Sequence, residues 1–196
     1  MSLLNMETIK PAGDNSGSNQ TASSLPSIPA ELVKMKILVI DDEPVNAAVL
    51  ECMLADSGYT RVKSITDSRL ALETRTTFQP DLILLDLMMP HLDGFAVLET
   101  FRGELGDIFL PVIVLTADAN EETKLRALRA GATDFLLKPF DQIEVLLRIG
   151  NLLEMRRLHI QLDTQRAAYE EAVRARTTEL REVRLELEKA KNWAST

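Results

Sequence analysis

Cysteine, long apolar runs and an export signal are what this chain of 196 residues has least of. The single cysteine, Cys52, cannot form a disulfide bond within the chain. No window approaches the roughly 18 consecutive apolar residues of a membrane span. No N-terminal stretch combines a basic segment with an apolar one, as a secretory signal does. These absences predict a cytoplasmic protein that does not enter a membrane.

An excess of basic residues is also lacking. The net charge of −8 and the pI of about 4.9 argue against a nucleic-acid surface spread over the protein, so we expect no direct nucleic-acid partner. The 45% hydrophobic content is enough to bury a core. Residues 1–34 include a run of small and polar residues with little to bury, which predicts a flexible N-terminal tail.

A strand followed by a helix recurs five times between residues 36 and 150. In the first unit, residues 37–40 are apolar, and a helix begins at Pro44 and ends before Gly58. The other predicted strands and helices are 62–66 with 68–77, 82–87 with 95–102, 112–115 with 121–130, and 135–137 with 142 onward. Continuous apolar strands are buried on both faces, which indicates a parallel sheet covered by helices on each side. The predicted fold class is therefore α/β, doubly wound, within a domain of residues 35–150.

Residues 151–196 contain neither glycine nor proline, so the last helix can continue for about 70 Å at roughly 1.5 Å per residue. We expect this segment to form a helical arm that leads to an output domain missing from the chain. Heptad spacing gives its inner positions as Leu152, Met155, His159, Leu162, Arg166, Tyr169, Val173, Arg176, Leu180, Val183, Leu187 and Ala190. Nine of these twelve are apolar, which predicts a coiled coil and a homodimer. A solvated charged helix or a partly disordered tail is the alternative.

Polar residues stand at the ends of four predicted strands. Asp41 and Asp42 follow the first strand, Asp86 lies at the end of the third, Thr116 ends the fourth, and Lys138 follows the fifth. Ligands in open α/β sheets bind outside the carboxyl ends of the strands, so we expect these side chains at one edge. Three carboxylates repel one another unless a cation offsets their charge, and oxygen-only ligands suit Mg²⁺. With a fixed ammonium and a hydroxyl, these are the components of phosphoryl transfer to a carboxylate.

Each component alone has a plainer explanation. An Asp-Asp pair after a strand is often a solvated turn or a helix cap. A Lys-Pro pair is often part of an ordinary loop. The phosphoryl-transfer site is favoured because every component occurs at the required strand end and in the required order.

The turn after Asp86 contains Pro90, His91 and Gly94. Proline restricts φ, and glycine permits a conformation that other residues resist, so both are expected to shape this turn. A loop histidine without a visible partner is usually not functional, and we assign no role to His91.

Four segments closely resemble the receiver domains of two-component response regulators. They are residues 37–44, 81–94, 112–117 and 131–140, and the resemblance covers about residues 35–150. It implies a flavodoxin-like fold with strand order 2-1-3-4-5. It also implies phosphoryl transfer to Asp86 from a phosphohistidine on a sensor histidine kinase or a phosphotransfer protein.

The resemblance implies a role for each residue of the metal site. Asp42, Asp86 and the backbone carbonyl of Met88 would bind Mg²⁺ directly. Asp41 would bind it directly or through water.

The resemblance further implies which residues contact the phosphoryl group. Lys138 and Thr116 would hold its oxygens, and the small side chain of Ala117 leaves room for it. Phe135 would turn inward as the Thr116 hydroxyl moves toward the phosphoryl group. Ordinary core packing explains a phenylalanine at position 135 equally well.

The beginning of the arm resembles a connector. Residues 146–159 and 171–180 are similar to the segment between a receiver and an HD-GYP cyclic-di-GMP phosphodiesterase domain, although similar connectors precede other output domains. Such a phosphodiesterase needs a cluster of histidine and aspartate ligands, and the only histidines here are His91 and His159. We therefore expect this chain to be a signalling switch, not an enzyme acting on other substrates.

Two other functions compete with the phosphorylated switch. One is a pseudo-receiver scaffold that dimerises through the arm and is never phosphorylated. The other is an aspartyl-nucleophile phosphatase of the haloacid dehalogenase type, which needs a second acid two residues after the nucleophile. Met88 occupies that position, which argues against general acid catalysis on external substrates.

Overall fold

Within the described residues, five parallel strands form the centre of the protein. The computed structural model describes residues 28–90, 92–105 and 109–194. The strands are β1 (Ile37–Ile40), β2 (Val62–Ile65), β3 (Leu82–Asp86), β4 (Val112–Thr116) and β5 (Asp134–Leu137). Their order is β2-β1-β3-β4-β5, and every neighbouring pair is parallel. All residues of β1, β3 and β4 are buried, so the predicted α/β fold and strand order are confirmed.

Helices cover both faces of the sheet. They are α1 (Pro44–Asp56), α2 (Ala71–Phe78), α3 (Gly94–Leu105), α4 (Glu121–Arg129) and α5 (Gln142–Ala194). Successive strand residues point to opposite faces, so β1 contributes Ile37 and Val39 to one core cluster and Leu38 and Ile40 to the other. The first cluster also contains side chains of α1 and α5, and the second contains side chains of α3 and α4. The strand ends are thereby held between two packed layers.

Helix α2 begins later than the sequence pattern predicts. The segment predicted as one helix over 68–77 is divided into a 3-10 turn at Ser68–Leu70 and α2 from Ala71. The Asp67 carboxylate accepts a hydrogen bond from the Arg69 backbone N–H and caps the turn.

The end of the predicted N-terminal tail packs against the domain. Residues 1–27 and His91 lie outside the described residues, but 28–34 are described. Leu32 is 3% exposed in the first core cluster, at the start of a 3-10 turn. The Val33 carbonyl accepts a hydrogen bond from the Thr60 N–H at 3.1 Å. One apolar side chain therefore joins this segment to the core, ahead of the predicted domain boundary at residue 35.

Helix α5 extends far beyond the sheet, as predicted for the helical arm. Its 53 residues span about 80 Å at about 1.5 Å per residue. Ile149 and Leu153, in its first part, are fully buried against the sheet. From Leu158 onward every described side chain is exposed. Among the described residues, no helix is long and apolar enough to cross a bilayer.

The base of the arm is attached to the segment before β4. Arg156 Nη1 donates a hydrogen bond to the Phe109 carbonyl at 2.6 Å. The His159 ring stacks on the Phe109 ring, with 4.5 Å between the ring centroids. Leu152, the first of the predicted inner heptad positions, is only 7% exposed and belongs to the first core cluster. Leu152 is therefore covered by the domain itself, whereas Met155, the next heptad position, is 45% exposed.

Candidate functional site

The strand order brings the predicted site residues to one edge of the sheet. Asp41 follows β1, Asp86 ends β3, Thr116 ends β4, and Lys138 follows β5. These four strands are consecutive neighbours in the sheet and run in the same direction, so their carboxyl ends lie side by side. Residues from four distant parts of the chain can therefore act on one ligand.

Three carboxylates converge at this edge. Asp41, Asp42 and Asp86 each offer an oxygen, and these atoms lie within 4.8 Å of one another. Asp41 and Asp86 are buried, and Asp42 is half-buried. A set of carboxylate oxygens without nitrogen or sulfur matches the preference of Mg²⁺, which takes one or two carboxylates and keeps several waters. The donor set therefore fits the predicted metal.

Lys138 lies between two of these carboxylates. Its Nζ is 2.7 Å from Asp41 Oδ2 and 3.2 Å from Asp86 Oδ2. The other Asp41 oxygen, Oδ1, accepts hydrogen bonds from the Glu43 backbone N–H at 3.0 Å and from Asn46 Nδ2 at 3.2 Å. Asp41 is thus held on both oxygens, and Lys138 partly offsets the charge of the cluster. Sequence reasoning missed Asn46, because an asparagine in the first turns of a helix has no distinguishing pattern.

The environment of Asp86 changes its acidity. Burial raises the pKa of the Asp86 carboxyl, and this effect outweighs the opposing charge of Lys138. The nearby charge of Asp41 also raises the pKa, while a hydrogen bond from the Met88 backbone N–H lowers it. A bound cation favours the charged form of a carboxyl, so a metal at this edge would oppose the effect of burial and favour an ionised Asp86.

Thr116 is positioned by the pairing of β4 with β5. The Lys138 backbone N–H donates to the Thr116 carbonyl at 2.8 Å, which places the two site residues side by side at the ends of adjacent strands. The Thr116 hydroxyl oxygen accepts a hydrogen bond from the Asp118 N–H at 3.1 Å, so its own proton remains available for donation. Ala117 is exposed next to it and carries only a methyl group.

Gly94 is required for a reason that differs from the predicted one. Its φ is not in the left-handed region, unlike those of Gly58 and Gly131. A Cβ atom at position 94 would instead lie 2.3 Å from the Asp86 carbonyl oxygen and 2.6 Å from Leu87 Cα. The start of α3 therefore packs directly on the backbone of Asp86, a contact that no local sequence pattern reveals.

Phe135 is half-buried on the edge strand β5. Its ring packs partly against the second core cluster, and the Nζ of Lys124 lies 4.1 Å from the ring centroid. Both the predicted switching role and ordinary core packing are compatible with this position, so the switching role stays a prediction. Lys124, on α4, is a contact that the sequence did not indicate.

The comparison with protein families decides the identity of this domain. A family model described as the response regulator receiver domain matches residues 37–150. The chain belongs to the response regulator receiver family. This confirms the resemblance found in the sequence, and the matched residues include all of the site residues described above.

Curated relatives share the receiver domain but are longer. RcaC of Microchaete diplosiphon is 40% identical over 119 residues, which are 61% of this chain and 18% of that protein. RpaA of Synechocystis, a DNA-binding dual master transcriptional regulator, is 38% identical over 118 residues, which are 60% of this chain and 48% of RpaA. PhoP of Bacillus subtilis, which regulates alkaline phosphatase synthesis, is 40% identical with the same coverage. The chain therefore spans less than half the length of these relatives.

Solved receiver structures match the same part of the chain. The receiver domain of a Francisella response regulator is 33% identical, with a TM-score of 0.58, and the match covers 62% of this chain and 98% of that one. The receiver domain of a sensor histidine kinase from Pseudomonas aeruginosa is 34% identical, with a TM-score of 0.56 and the same coverage. That neighbour has a magnesium ion coordinated in its active site cleft.

Proposed function

We propose that this receiver accepts a phosphoryl group on Asp86 from a phosphohistidine on a sensor histidine kinase or a phosphotransfer protein. The observation that carries the proposal is the position of Asp86, buried beside two further carboxylates and 3.2 Å from Lys138. An Asp86 oxygen attacks phosphorus and forms an O–P bond. The N–P bond of the phosphohistidine breaks, and its electron pair returns to the imidazole nitrogen.

Mg²⁺ is the cofactor that the carboxylate cluster fits. Asp42, Asp86 and the Met88 backbone carbonyl would hold it directly, and Asp41 directly or through water. The ion supplies positive charge against the phosphoryl oxygens. The Met88 side chain is 67% exposed and leaves this edge open to a donor protein.

Lys138 and Thr116 serve the transferred group. The Lys138 ammonium bonds the Asp86 carboxylate before transfer and a phosphoryl oxygen afterwards. The Thr116 hydroxyl, whose proton is available, donates to a second phosphoryl oxygen. The added charge of about −1.5 to −2 draws both groups toward Asp86 and so biases the adjoining surface.

The responding surface is the one formed by α4, β5 and the start of α5. It exposes a group of apolar side chains, Leu125, Leu128, Leu137, Ile143 and Leu147. Because α5 runs without a break into the arm, repacking this surface changes how two arms pair. We further propose that the chain is a cytoplasmic signalling switch that homodimerises through its arm, with no direct contact to nucleic acid or membrane.

The output belongs to a longer regulator. The greater length of the curated relatives supports this, since each has more chain than its receiver accounts for. The connector-like sequence of residues 146–159 and 171–180 points to an HD-GYP phosphodiesterase as one such output.

The test is the intact mass after incubation with a small-molecule phosphodonor, with and without Mg²⁺. We expect the wild type to gain one phosphoryl group only with Mg²⁺, and Asp86→Asn to gain none. Asp163→Asn, an equal substitution on the exposed arm, is the matched control and should be labelled like the wild type. Absence of labelling in all proteins would favour the pseudo-receiver scaffold. Turnover of an added phosphate ester would favour the phosphatase.

A further inference from the structure

We propose that Lys124 is a positioning residue that restrains activation of the receiver by holding the ring of Phe135. The contact joins α4 to β5, inside the surface that the proposed function assigns to the response. The inference rests on that proposed function and on the inward turn predicted for Phe135. It adds the residue that sets how easily the unphosphorylated protein reaches its activated arrangement.

Helix α4 buries little apolar surface. Of its nine residues, all of them described, only Ala127 is buried. Its two leucines, Leu125 and Leu128, are 48% and 39% exposed. A single buried methyl group fixes the position of a helix only weakly. Contacts other than apolar burial therefore hold much of this helix in place.

Two cationic side chains of α4 lie over aromatic rings of the domain. The guanidinium carbon of Arg126 is 3.7 Å from the centroid of the Phe95 ring on α3. The Nζ of Lys124 is 4.1 Å from the centroid of the Phe135 ring on β5. Both distances are well within the roughly 6 Å over which the face of a ring attracts a cation. Helix α4 is thus attached to two rings that belong to different elements.

The attachment through Arg126 is a fixed one. The Phe95 ring is 6% exposed, and the residue before it, Gly94, packs directly on the backbone of Asp86. Arg126 also has a second partner, since its Nη2 lies 3.9 Å from Asp93 Oδ2. A buried ring on a tightly packed turn has little room to move.

The attachment through Lys124 can be released. Its partner Phe135 is only half-buried and lies on the edge strand of the sheet. Phe135 pairs with Val114, two residues before Thr116, so the Phe135 and Thr116 side chains share one face of the sheet. A ring at this position has solvent on one side and the Thr116 end of β4 on the other.

An inward turn of the Phe135 ring takes its face away from the Lys124 ammonium. Only the unphosphorylated arrangement then keeps the contact, so Lys124 lowers the population of the activated arrangement before phosphorylation. Lys124 is half-buried, and the loss of one cation–π contact disfavours activation by about twofold to fivefold. The affinity for an activating ligand falls by the same factor, because that ligand binds the activated arrangement.

Binding of beryllofluoride with Mg²⁺ to the full-length protein tests the restraint, since beryllofluoride mimics the phosphoryl group on an aspartate. Lys124→Met keeps an unbranched side chain without the charge and should bind about twofold to fivefold more tightly than the wild type. Lys124→Arg keeps a cation over the ring and should bind like the wild type. Arg129→Met, an equal loss of charge at an exposed position of α4, should also leave the affinity unchanged.

A double variant separates the ring contact from a general effect of charge. Phe135→Leu removes the ring that Lys124 holds. In this background the further change Lys124→Met should leave the beryllofluoride affinity unchanged. A gain as large as in the wild-type background would trace to charge alone and overturn the contact with Phe135 as the cause.

Fluorine NMR of protein labelled with 4-fluorophenylalanine follows the ring itself. The Phe135 signal is assigned by its loss in Phe135→Leu. Beryllofluoride with Mg²⁺ should move this signal in the wild type. Lys124→Met without beryllofluoride should already move it part of the way toward the same position, which a merely structural role of Lys124 would not do.

The outcomes distinguish the two proposals. If the wild type binds beryllofluoride and Lys124→Met binds it equally or more weakly, the restraint is overturned and the phosphorylation of Asp86 is not. A Phe135 signal that stays in place while the wild type binds beryllofluoride would also overturn the restraint alone. Absence of binding and of labelling by a phosphodonor in every protein would overturn both.

Discussion

Adding one methyl group at Gly94 should disturb the proposed phosphorylation site more than it disturbs the helix that carries Gly94. The Cβ of Gly94→Ala would lie 2.3 Å from the Asp86 carbonyl oxygen, whereas ordinary contact begins at 3.4 Å. The two backbones must therefore separate by about 1 Å. Both atoms nearest to the new methyl group belong to backbone, so no side-chain rotation can relieve the overlap.

The expected cost has two parts. Forcing extra volume into a packed contact destabilises the fold by about 1–3 kcal/mol. A displacement of about 1 Å at a reacting group can lower a rate about a hundredfold, and Asp86 is the proposed nucleophile. We therefore expect a lower midpoint of urea unfolding and a labelling rate with phosphodonor and Mg²⁺ reduced by roughly ten- to a hundredfold.

Gly103→Ala is the matched control on the same helix. A Cβ at Gly103 meets nothing within 4 Å, so this change should stabilise α3 by about 0.5–1 kcal/mol and leave labelling unchanged. The reasoning is refuted if Gly94→Ala unfolds at the wild-type urea concentration and is labelled at the wild-type rate.

Three other changes test the remaining contacts by urea unfolding. Lys138→Met removes the positive charge beside the buried Asp41 and Asp86 carboxylates and should lower the free energy of unfolding by about 3 kcal/mol without Mg²⁺. Added Mg²⁺ should recover part of this loss. Equal stability of the variant with and without Mg²⁺ would contradict this. Tyr59 is buried, and its hydroxyl has no hydrogen-bond partner among the described residues, so Tyr59→Phe should stabilise the fold by about 1 kcal/mol. Burial raises the pKa of Tyr59 from 10.0 to about 12, so between these values the unfolded chain loses a proton that the folded protein keeps. Wild-type stability should therefore fall as pH rises through this window, and Tyr59→Phe should fall less. Leu32→Ala should lower the free energy of unfolding by about 2–4 kcal/mol, because the Leu32 side chain belongs to the first core cluster. An unchanged midpoint of urea unfolding would show that the N-terminal segment does not stabilise the domain.

Local patterns determined most of the fold. The apolar runs of β1, β3 and β4 identify buried strands without any knowledge of their neighbours. Glycine and proline mark where helix α1 begins and ends, because their backbone preferences act within one or two residues. The rule that ligands bind beyond the carboxyl ends of parallel strands then placed Asp86 and Lys138 at one edge.

Contacts between distant segments could not be predicted in this way. Lys138 reaches Asp41 across 97 residues of chain, and the geometry of that ion pair depends on the whole sheet. The close approach of Gly94 to Asp86 depends on where α3 packs. Asn46 and Lys124 were not predicted because their side chains act only on partners that folding supplies.

The sequence by itself determined the succession of strands and helices along the chain, the types of side chain that meet at one edge of the sheet and the heptad pattern of the arm. Each of these depends on periodicity or residue type over a short stretch of chain. Only the tertiary structure decided that Leu32 joins the core and that Phe109 contacts the base of the arm. It also decided that a side chain at position 94 would overlap the backbone of Asp86. These depend on distances across the packed fold, to which local periodicity is not sensitive.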